Sequence, residues 1–272
     1  MANTSPLFTV LGASGFVGQR LVSTLTSRQL ACWVPARQSP EIFQRPLGTV
    51  FYCIGLTADY AQRPFDTVEA HVSYLARVLA EADFQHIVYL SSTRLYDGLP
   101  VAEGRGDTLL HLSPASPRHL YDLSKALGEN LCLTTAAGRS SIARLSCVYD
   151  AAPGSPGFLS ELLQRVTHDK GFTLDSSPGY CRDYITLDDT VASLIAMGTQ
   201  QASGIFNVAS GRNTFNQDIA DTLRPLGVDI HFSRAGDAMH LARCDIDNLL
   251  ALGVQPADTL HSLETFVRNL PA

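Results

Sequence analysis

The chain has 272 residues, 45% hydrophobic and 17% charged, with 20 Gly and 14 Pro, which excludes a peptide, a repeat array and a disordered or collagen-like chain. Its 26 acidic against 20 basic residues leave a formal net charge of −6, so no overall field draws nucleic acid or an anionic membrane, and an anionic ligand has to be met by local groups. Six widely spaced cysteines make no Cys-x-x-Cys pair, which argues against a metal site or disulfide framework and for reduced thiols in a cytoplasmic protein.

Residues 7–11 form a short apolar run that stops at glycines, the pattern of a strand buried on both faces. A helix is predicted from Gly15 to about Ser27, and strands over 31–34 and 49–54, with no room between Arg37 and Thr49 for a full strand–helix pair. Phe65, Val68, Val72, Leu75 and Leu79 recur at helical spacing and predict one apolar stripe. A strand over 86–91, a long loop over 97–117, and strands over 142–148 and 205–208 come next. Strands alternating with helices imply an α/β fold with a doubly wound parallel sheet. The Pro- and Gly-rich segment 151–157 reads as a crossing into a smaller α+β lobe, with short strands around Phe172 and Ile230 and a final amphipathic helix over 260–270. No stretch reaches the ~18 uninterrupted apolar residues of a membrane span. Met1 to Pro6 lacks the basic and apolar regions of a secretory leader.

Gly12-Ala-Ser14-Gly15-Phe16-Val17-Gly18 directly follows the first strand and opens a helix. Such glycines allow a tight turn, close approach of a pyrophosphate to the backbone, and helix–sheet packing, with the helix N-terminus holding the phosphates. Just beyond the second predicted strand, about 18 residues past Gly18, stand Ala36-Arg37, where a dinucleotide site often has an acid for the ribose 2′-hydroxyl. A guanidinium there suits a 2′-phosphate and leans the cofactor from NAD toward NADP; a loop cation stacking on adenine is the alternative reading.

Only two of the 20 cations are lysines, Lys125 and Lys170. Lys125 lies four residues after Tyr121 on a predicted helix, so phenol and ammonium share a face. A nearby positive charge favours phenolate, the form a general base acting on an alcohol needs. Ser92 and Thr93 stand at the carboxyl end of the strand over 86–91, where ligands of open α/β sheets bind.

In this order, Gly-x-x-Gly-x-x-Gly, Ser-Ser-Thr-x-x-Tyr, Tyr-x-x-x-Lys and Arg182-Asp-Tyr-Ile-Thr-Leu-Asp-Asp189 resemble the extended short-chain dehydrogenase/reductase superfamily, in its NAD-dependent epimerase/dehydratase branch. The resemblance continues through Gly204 to Ser210 and Cys244 to Pro256. It implies a Rossmann-type NAD(P)-binding domain over 1–150, with 184–209 packing back on it, and a substrate lobe over 151–272. It further implies Ser92, Tyr121 and Lys125 as catalytic residues, and a cofactor held by Gly12, Ser14, Gly15, Phe16, Val17, Gly18, Arg37, Ile54, Tyr121 and Lys125. Substrate is expected at Ser92, Thr93, Tyr121, Arg182 and Arg234, the two arginines meeting the diphosphate of a nucleotide sugar.

Three departures bear on the reaction. The Asp-Glu pair of the dehydratases is here Thr93-Arg94, which disfavours dehydration for want of an acid. Family asparagines are replaced by His71, which reads as a tolerated helix residue, and by Cys147. The expected activity is hydride-transfer epimerisation of a nucleotide sugar, with NADPH-dependent keto-sugar reduction as the alternative and a non-catalytic NAD(P)-binding regulator ranked last. A homodimer through the helices over 65–82 and 118–137 is a further expectation.

Overall fold

The computed structural model describes residues 8–116, 118–236 and 238–270. Leu7 of the first predicted strand, Pro117 of the long loop and Asp237 lie outside them.

The strands in chain order are β1 (Phe8–Leu11), β2 (Cys32–Trp33), β3 (Thr49–Tyr52), β4 (His86–Ser92), β5 (Glu103–Gly104), β6 (Ser140–Leu145), β7 (Cys147–Tyr149), β8 (Gly171–Leu174), β9 (Cys181–Thr186), β10 (Gly204–Val208), β11 (Asn213–Phe215), β12 (Asp229–Phe232) and β13 (Arg243–Cys244). Six of them form one parallel sheet in the order β10-β6-β4-β3-β1-β2. The chain leaves β1 toward β2 and then returns to β3 on its other side, so the sheet has its topological switch point between β1 and β3.

Helices cover both faces, as buried parallel strands require. On one face α1 (Phe16–Ser27) and α6 (Leu187–Gln200) bury Leu21, Leu25, Val191 and Leu194 against Phe8, Val10, Val88 and Phe206. On the other, α3 (Tyr74–Glu81) and α4 (His119–Thr135) bury Leu75, Val78 and Cys132 against Val50, Tyr52, Ile87 and Tyr89. The short segment between β2 and β3 contains a single 3₁₀ turn, Pro40–Phe43, whose Ile42 is fully buried.

The second lobe has its own core, in which α5 (Phe158–Val166), α7 (Asn216–Leu223) and α9 (Thr259–Arg268) pack Leu162, Leu163, Ile219, Leu223 and Leu263 together. Its strands β8 and β12 pair in parallel, while β11, β9 and β7 form a separate three-stranded sheet. The predicted strand over 142–148 is therefore two strands. It breaks at Ser146, with β6 in the central sheet and β7 in the three-stranded one.

The predicted stripe is also corrected. Phe65 is 88% exposed and Val68 39% exposed, whereas Thr67, Ala70, His71, Leu75 and Val78 are buried. Helix α2 (Pro64–Val68) runs into a π turn, Glu69–Ser73, before α3 begins. The extra residue of a π turn rotates the residues before it relative to those after it, so a stripe at uniform spacing no longer falls on one face. Carbonyls of that turn are held by buried phenols: Tyr52 donates to Ala70 O at 2.7 Å and Tyr89 to His71 O at 3.2 Å.

Candidate active site

The carboxyl ends of β1, β3, β4 and β6 open into one cleft of about 1290 Å³, closed on its far side by residues of the second lobe. Gly12 has φ of 84°, and a Cβ on it would lie 2.8 Å from the Cys53 carbonyl carbon. A Cβ on Gly18 would lie 2.3 Å from the Gly12 carbonyl oxygen. Turn and packing alone thus require glycine at both. Gly15 differs, because a Cβ there meets only the Gly12 oxygen, at 3.4 Å, and the residue lines the cleft. Nothing in the protein demands glycine at 15, and the open backbone there leaves room for a group pressed against it. The amino end of α1 has no side-chain cap and no acid in its first turn, leaving its N–H groups and positive dipole end for an anion. These features fit a dinucleotide pyrophosphate.

Phe16, Val17, Gly18 and Ile54 also line the cleft, and Ser14 and Arg37 do not. Ser14 is exposed, its carbonyl accepting from Gln19 Nε2 at 2.8 Å. Arg37 is exposed in a turn beyond β2.

Helix α4 presents Tyr121 and Lys125 to the cleft. Lys125 is 5% exposed, and its Nζ donates to Leu90 O of β4 at 2.7 Å. Burial drives its pKa from 10.5 down to about 7, against the opposing pull of Glu129 one turn along. Tyr121 is buried as well, and that desolvation pushes its phenol above the ordinary tyrosine value. Ser92 and Thr57 lie beside the phenol, and their hydroxyls act with the Arg94 charge in the lowering direction. The expectation that Lys125 acidifies Tyr121 is corrected here. The ammonium is turned toward Leu90 O, 5.9 Å from the Tyr121 ring, and the Arg94 guanidinium stands nearer, 4.9 Å from it.

Ser92 ends β4 and caps the 3₁₀ turn Thr93–Tyr96, its Oγ accepting the Arg94 N–H at 3.2 Å. Thr93 lines the cleft while donating to Leu145 O at 3.3 Å. Strand β4 and helix α4 thereby bring Ser92, Thr93, Tyr121 and Lys125 to one wall.

His71, expected as a tolerated helix residue, is fully buried and bonded on both ring nitrogens. Its Nε2 accepts the Leu56 N–H at 3.1 Å and its Nδ1 pairs with Ser124 Oγ at 2.8 Å, while Ser124 donates to Tyr121 O at 2.9 Å. With Ser124 donating onward, Nδ1 carries the proton and Nε2 is the acceptor. Burial holds the ring neutral, its pKa pressed down to about 3. His71 thus straps the loop after β3 to the helix turn that carries Tyr121.

Arg182 on β9 lines the cleft 3.5 Å from Asp97 and stacks over Tyr180 at 5.0 Å. Arg118, at the start of α4, joins the same Asp97 at 2.9 Å. Arg234 is not brought to them. Its exposed guanidinium forms a fork with Asp175, at 2.6 and 2.8 Å; Asp175 lines the cleft and Arg234 does not. Cys147 lines the cleft, and burial pushes its thiol up to about 11.

Thr57, Arg94 and Arg118 join the site without having been expected there from sequence. Arg94 carries a signal, the loss of an acid beside the strand-end hydroxyl. Thr57 and Arg118 carry none, since only the packing of loop and helix places them.

The sequence model of the NAD dependent epimerase/dehydratase family matches residues 8–209. Among curated proteins none matches this sequence. Among solved structures, MoeE5 in complex with UDP-glucose and NAD superposes with a TM-score of 0.77 at 20% identity, covering 96% of this chain and 97% of that one. A UDP-glucose 4-epimerase from Thermotoga maritima, solved with UDP-glucose, gives 0.77 at 19% identity over 96% and 97%. RMD from Pseudomonas aeruginosa, complexed with NADPH, gives 0.73 at 18% identity over 97% and 97%. At these identities the likeness is one of fold. Among the described residues no helix is long and apolar enough to cross a membrane.

Proposed function

Because the chain belongs to the NAD dependent epimerase/dehydratase family, we propose that it is an enzyme that epimerises a nucleotide sugar with a nicotinamide dinucleotide held at Gly12 to Gly18. The observation that carries this reading is the shared cleft. The uncapped amino end of α1 and the side chains of Ser92, Tyr121 and Lys125 face one space.

A nicotinamide bound there supplies the hydride acceptor, and then the donor, at one sugar carbon. In its phenolate form, which the Arg94 charge favours against burial, Tyr121 takes the proton of the sugar hydroxyl as that carbon is oxidised and returns it afterwards. Ser92 holds the same oxygen through its hydroxyl and so keeps it on the phenol. Lys125 serves the nicotinamide ribose, its Nζ lying where a Cβ on Gly55 would touch it at 3.3 Å. Arg182 and Arg118 converge on Asp97, Arg118 also lying 3.9 Å from Asp122, and both would turn their donors to the diphosphate. Arg234 reaches that diphosphate only by leaving Asp175. The neighbours solved with UDP-glucose, one of them also with NAD, support the substrate class. Thr93 and Arg94 offer no acid to expel a hydroxyl, so epimerisation is favoured over dehydration.

Keto-sugar reduction is the second reading, and exposed Arg37 supports it. Among the described residues this guanidinium makes no ion pair, which suits a 2′-phosphate and an exchangeable NADPH. The exposed apolar Phe65, Val68 and Leu127 on α2 and α4 support a homodimer through that helix pair.

The test is Tyr121→Phe. Turnover of a nucleotide sugar is expected to fall roughly 10²–10⁴-fold while NAD(P) binding persists, and unchanged turnover refutes the mechanism. Identifying the nucleotide that co-purifies separates the two readings. A retained cofactor favours the epimerase; a site that needs added NADPH favours the reductase.

A further inference from the structure

Arg94 occupies an unusual position among the cations of the cleft. Arg118 pairs with Asp97 at 2.9 Å and approaches Asp122 at 3.9 Å; Arg182 meets Asp97 at 3.5 Å; Lys125 is bonded to Leu90 O at 2.7 Å. Among the described residues the Arg94 guanidinium makes neither an ion pair nor a side-chain hydrogen bond. It is half-buried and lines the cleft. Asp122 feels it, but less than it feels Arg118.

What holds Arg94 is two aromatic faces. Its guanidinium carbon stands 4.9 Å from the centroid of Tyr121 and 5.5 Å from that of Tyr60, and the two rings lie 5.3 Å apart. Cation–π contacts fix a guanidinium without using its N–H groups. Five donors in a planar fork are thus left for something that is not protein. Withdrawing such a group from water without hydrogen-bond partners is unfavourable, and a ligand acid removes that penalty. The fork matches a carboxylate in geometry and charge. Its place in sequence fixes its place in the site: Arg94 is two residues beyond Ser92, on the turn that Ser92 caps, and it stands over the ring of Tyr121.

We infer that Arg94 is the receptor for a carboxylate on the sugar, so that the substrate is an acidic nucleotide sugar, a uronic acid. The inference rests on the nucleotide-sugar reading above and adds the acid. A neutral hexose offers the guanidinium only uncharged hydroxyl acceptors; a uronate presents its carboxylate on the ring whose hydroxyl Tyr121 and Ser92 hold. The two competing uses of Arg94 are contact with the diphosphate and a purely electrostatic effect on Tyr121. Both would act on acidic and neutral sugars alike.

The experiment exploits that difference. Binding of UDP-glucuronate against UDP-glucose, and of GDP-mannuronate against GDP-mannose, is measured by titration calorimetry on the wild type and on Arg94→Gln. Within each pair the sugars differ only in carboxylate against hydroxymethyl. The expected result, in at least one pair, is an acid bound at least tenfold tighter than its neutral partner, about 1.4 kcal/mol. Arg94→Gln is expected to erase that ratio. Arg94→Lys keeps the charge without the fork and is expected to retain only part of it; this variant carries the test if the glutamine form does not fold. Equal or tighter binding of the neutral sugar in the wild type overturns the inference, as does an equal loss for both members of a pair in Arg94→Gln. In either case the neutral sugars still bind and the nucleotide-sugar reading stands. If no member of either pair binds while NAD(P) does, that reading falls together with the inference.

Discussion

Replacing Lys125 with methionine should make the protein more stable at neutral pH. The wild-type lysine is 5% exposed, and its pKa falls from 10.5 to about 7 because burial disfavours the charged form. At about 1.36 kcal/mol per pKa unit this separates charged from neutral lysine by about 5 kcal/mol, of which about 4 kcal/mol opposes folding at pH 7. Methionine has a similar apolar length and removes the penalty. It also removes the hydrogen bond to Leu90 O, and a buried carbonyl left without its partner costs about 1–3 kcal/mol. Glu129 stays paired in the variant, because Arg144 holds both its oxygens at 2.7 and 2.9 Å. The net expectation at pH 7 is a gain of about 1–3 kcal/mol, or roughly 2–10 °C in Tm, together with loss of turnover. The direction of the shift sets the pH dependence. Between pH 7 and 10.5 the unfolded wild-type chain binds more protons than the folded one, so wild-type stability rises with pH. At pH 9 the penalty is about 2 kcal/mol and the advantage of the variant largely disappears. Thermal unfolding without added nucleotide, followed by near-UV circular dichroism at pH 6, 7 and 9, measures both effects. A lower Tm for Lys125→Met at pH 7, or an advantage that does not shrink by pH 9, refutes the reasoning.

Two further comparisons separate fold from site. Gly18→Ala drives a Cβ into the Gly12 carbonyl and should lower stability by about 1–3 kcal/mol. Gly15→Ala should leave unfolding within about 1 kcal/mol of wild type yet weaken NAD(P) binding at least tenfold; unfolding curves and nucleotide titrations check the pair, and equal behaviour of the two variants counts against the phosphate cradle. Arg182→Ala should raise KM for the nucleotide sugar ten- to a hundredfold, about 1.4–2.8 kcal/mol if KM reports binding. Arg234→Ala, which removes an exposed fork on Asp175, should change KM far less, and steady-state kinetics showing the reverse order would move the diphosphate to the outer arginine.

Much of the framework comes from local pattern alone. Apolar runs stopped by glycine are strands in any packing that buries both their faces, and the predicted strands at 49–54, 86–91 and 205–208 are β3, β4 and β10 to within a few residues. The glycine turn, the Tyr121–Lys125 spacing and the missing strand–helix pair before Thr49 are equally local, because a turn conformation, a helix repeat and a chain length depend on covalent neighbours. Where distant groups compete for one residue, local pattern does not decide. The stripe from Phe65 to Leu79 has ideal spacing, yet phenols from β3 and β4 hold carbonyls of a π turn, and His71 takes the inward place. The run over 142–148 has one apolar character, yet Ser146 divides it between two sheets. Helical spacing puts the Lys125 ammonium beside the Tyr121 phenol; only the packing of α4 on β4 shows it bonded to Leu90 O. The same packing leaves Arg94 facing the phenol, with no acid of its own among the described residues. Sequence by itself determined which groups this cleft could contain, through periodicity and spacing. The tertiary structure decided which of them face one another, because burial and charge pairing depend on through-space neighbours that lie far apart along the chain.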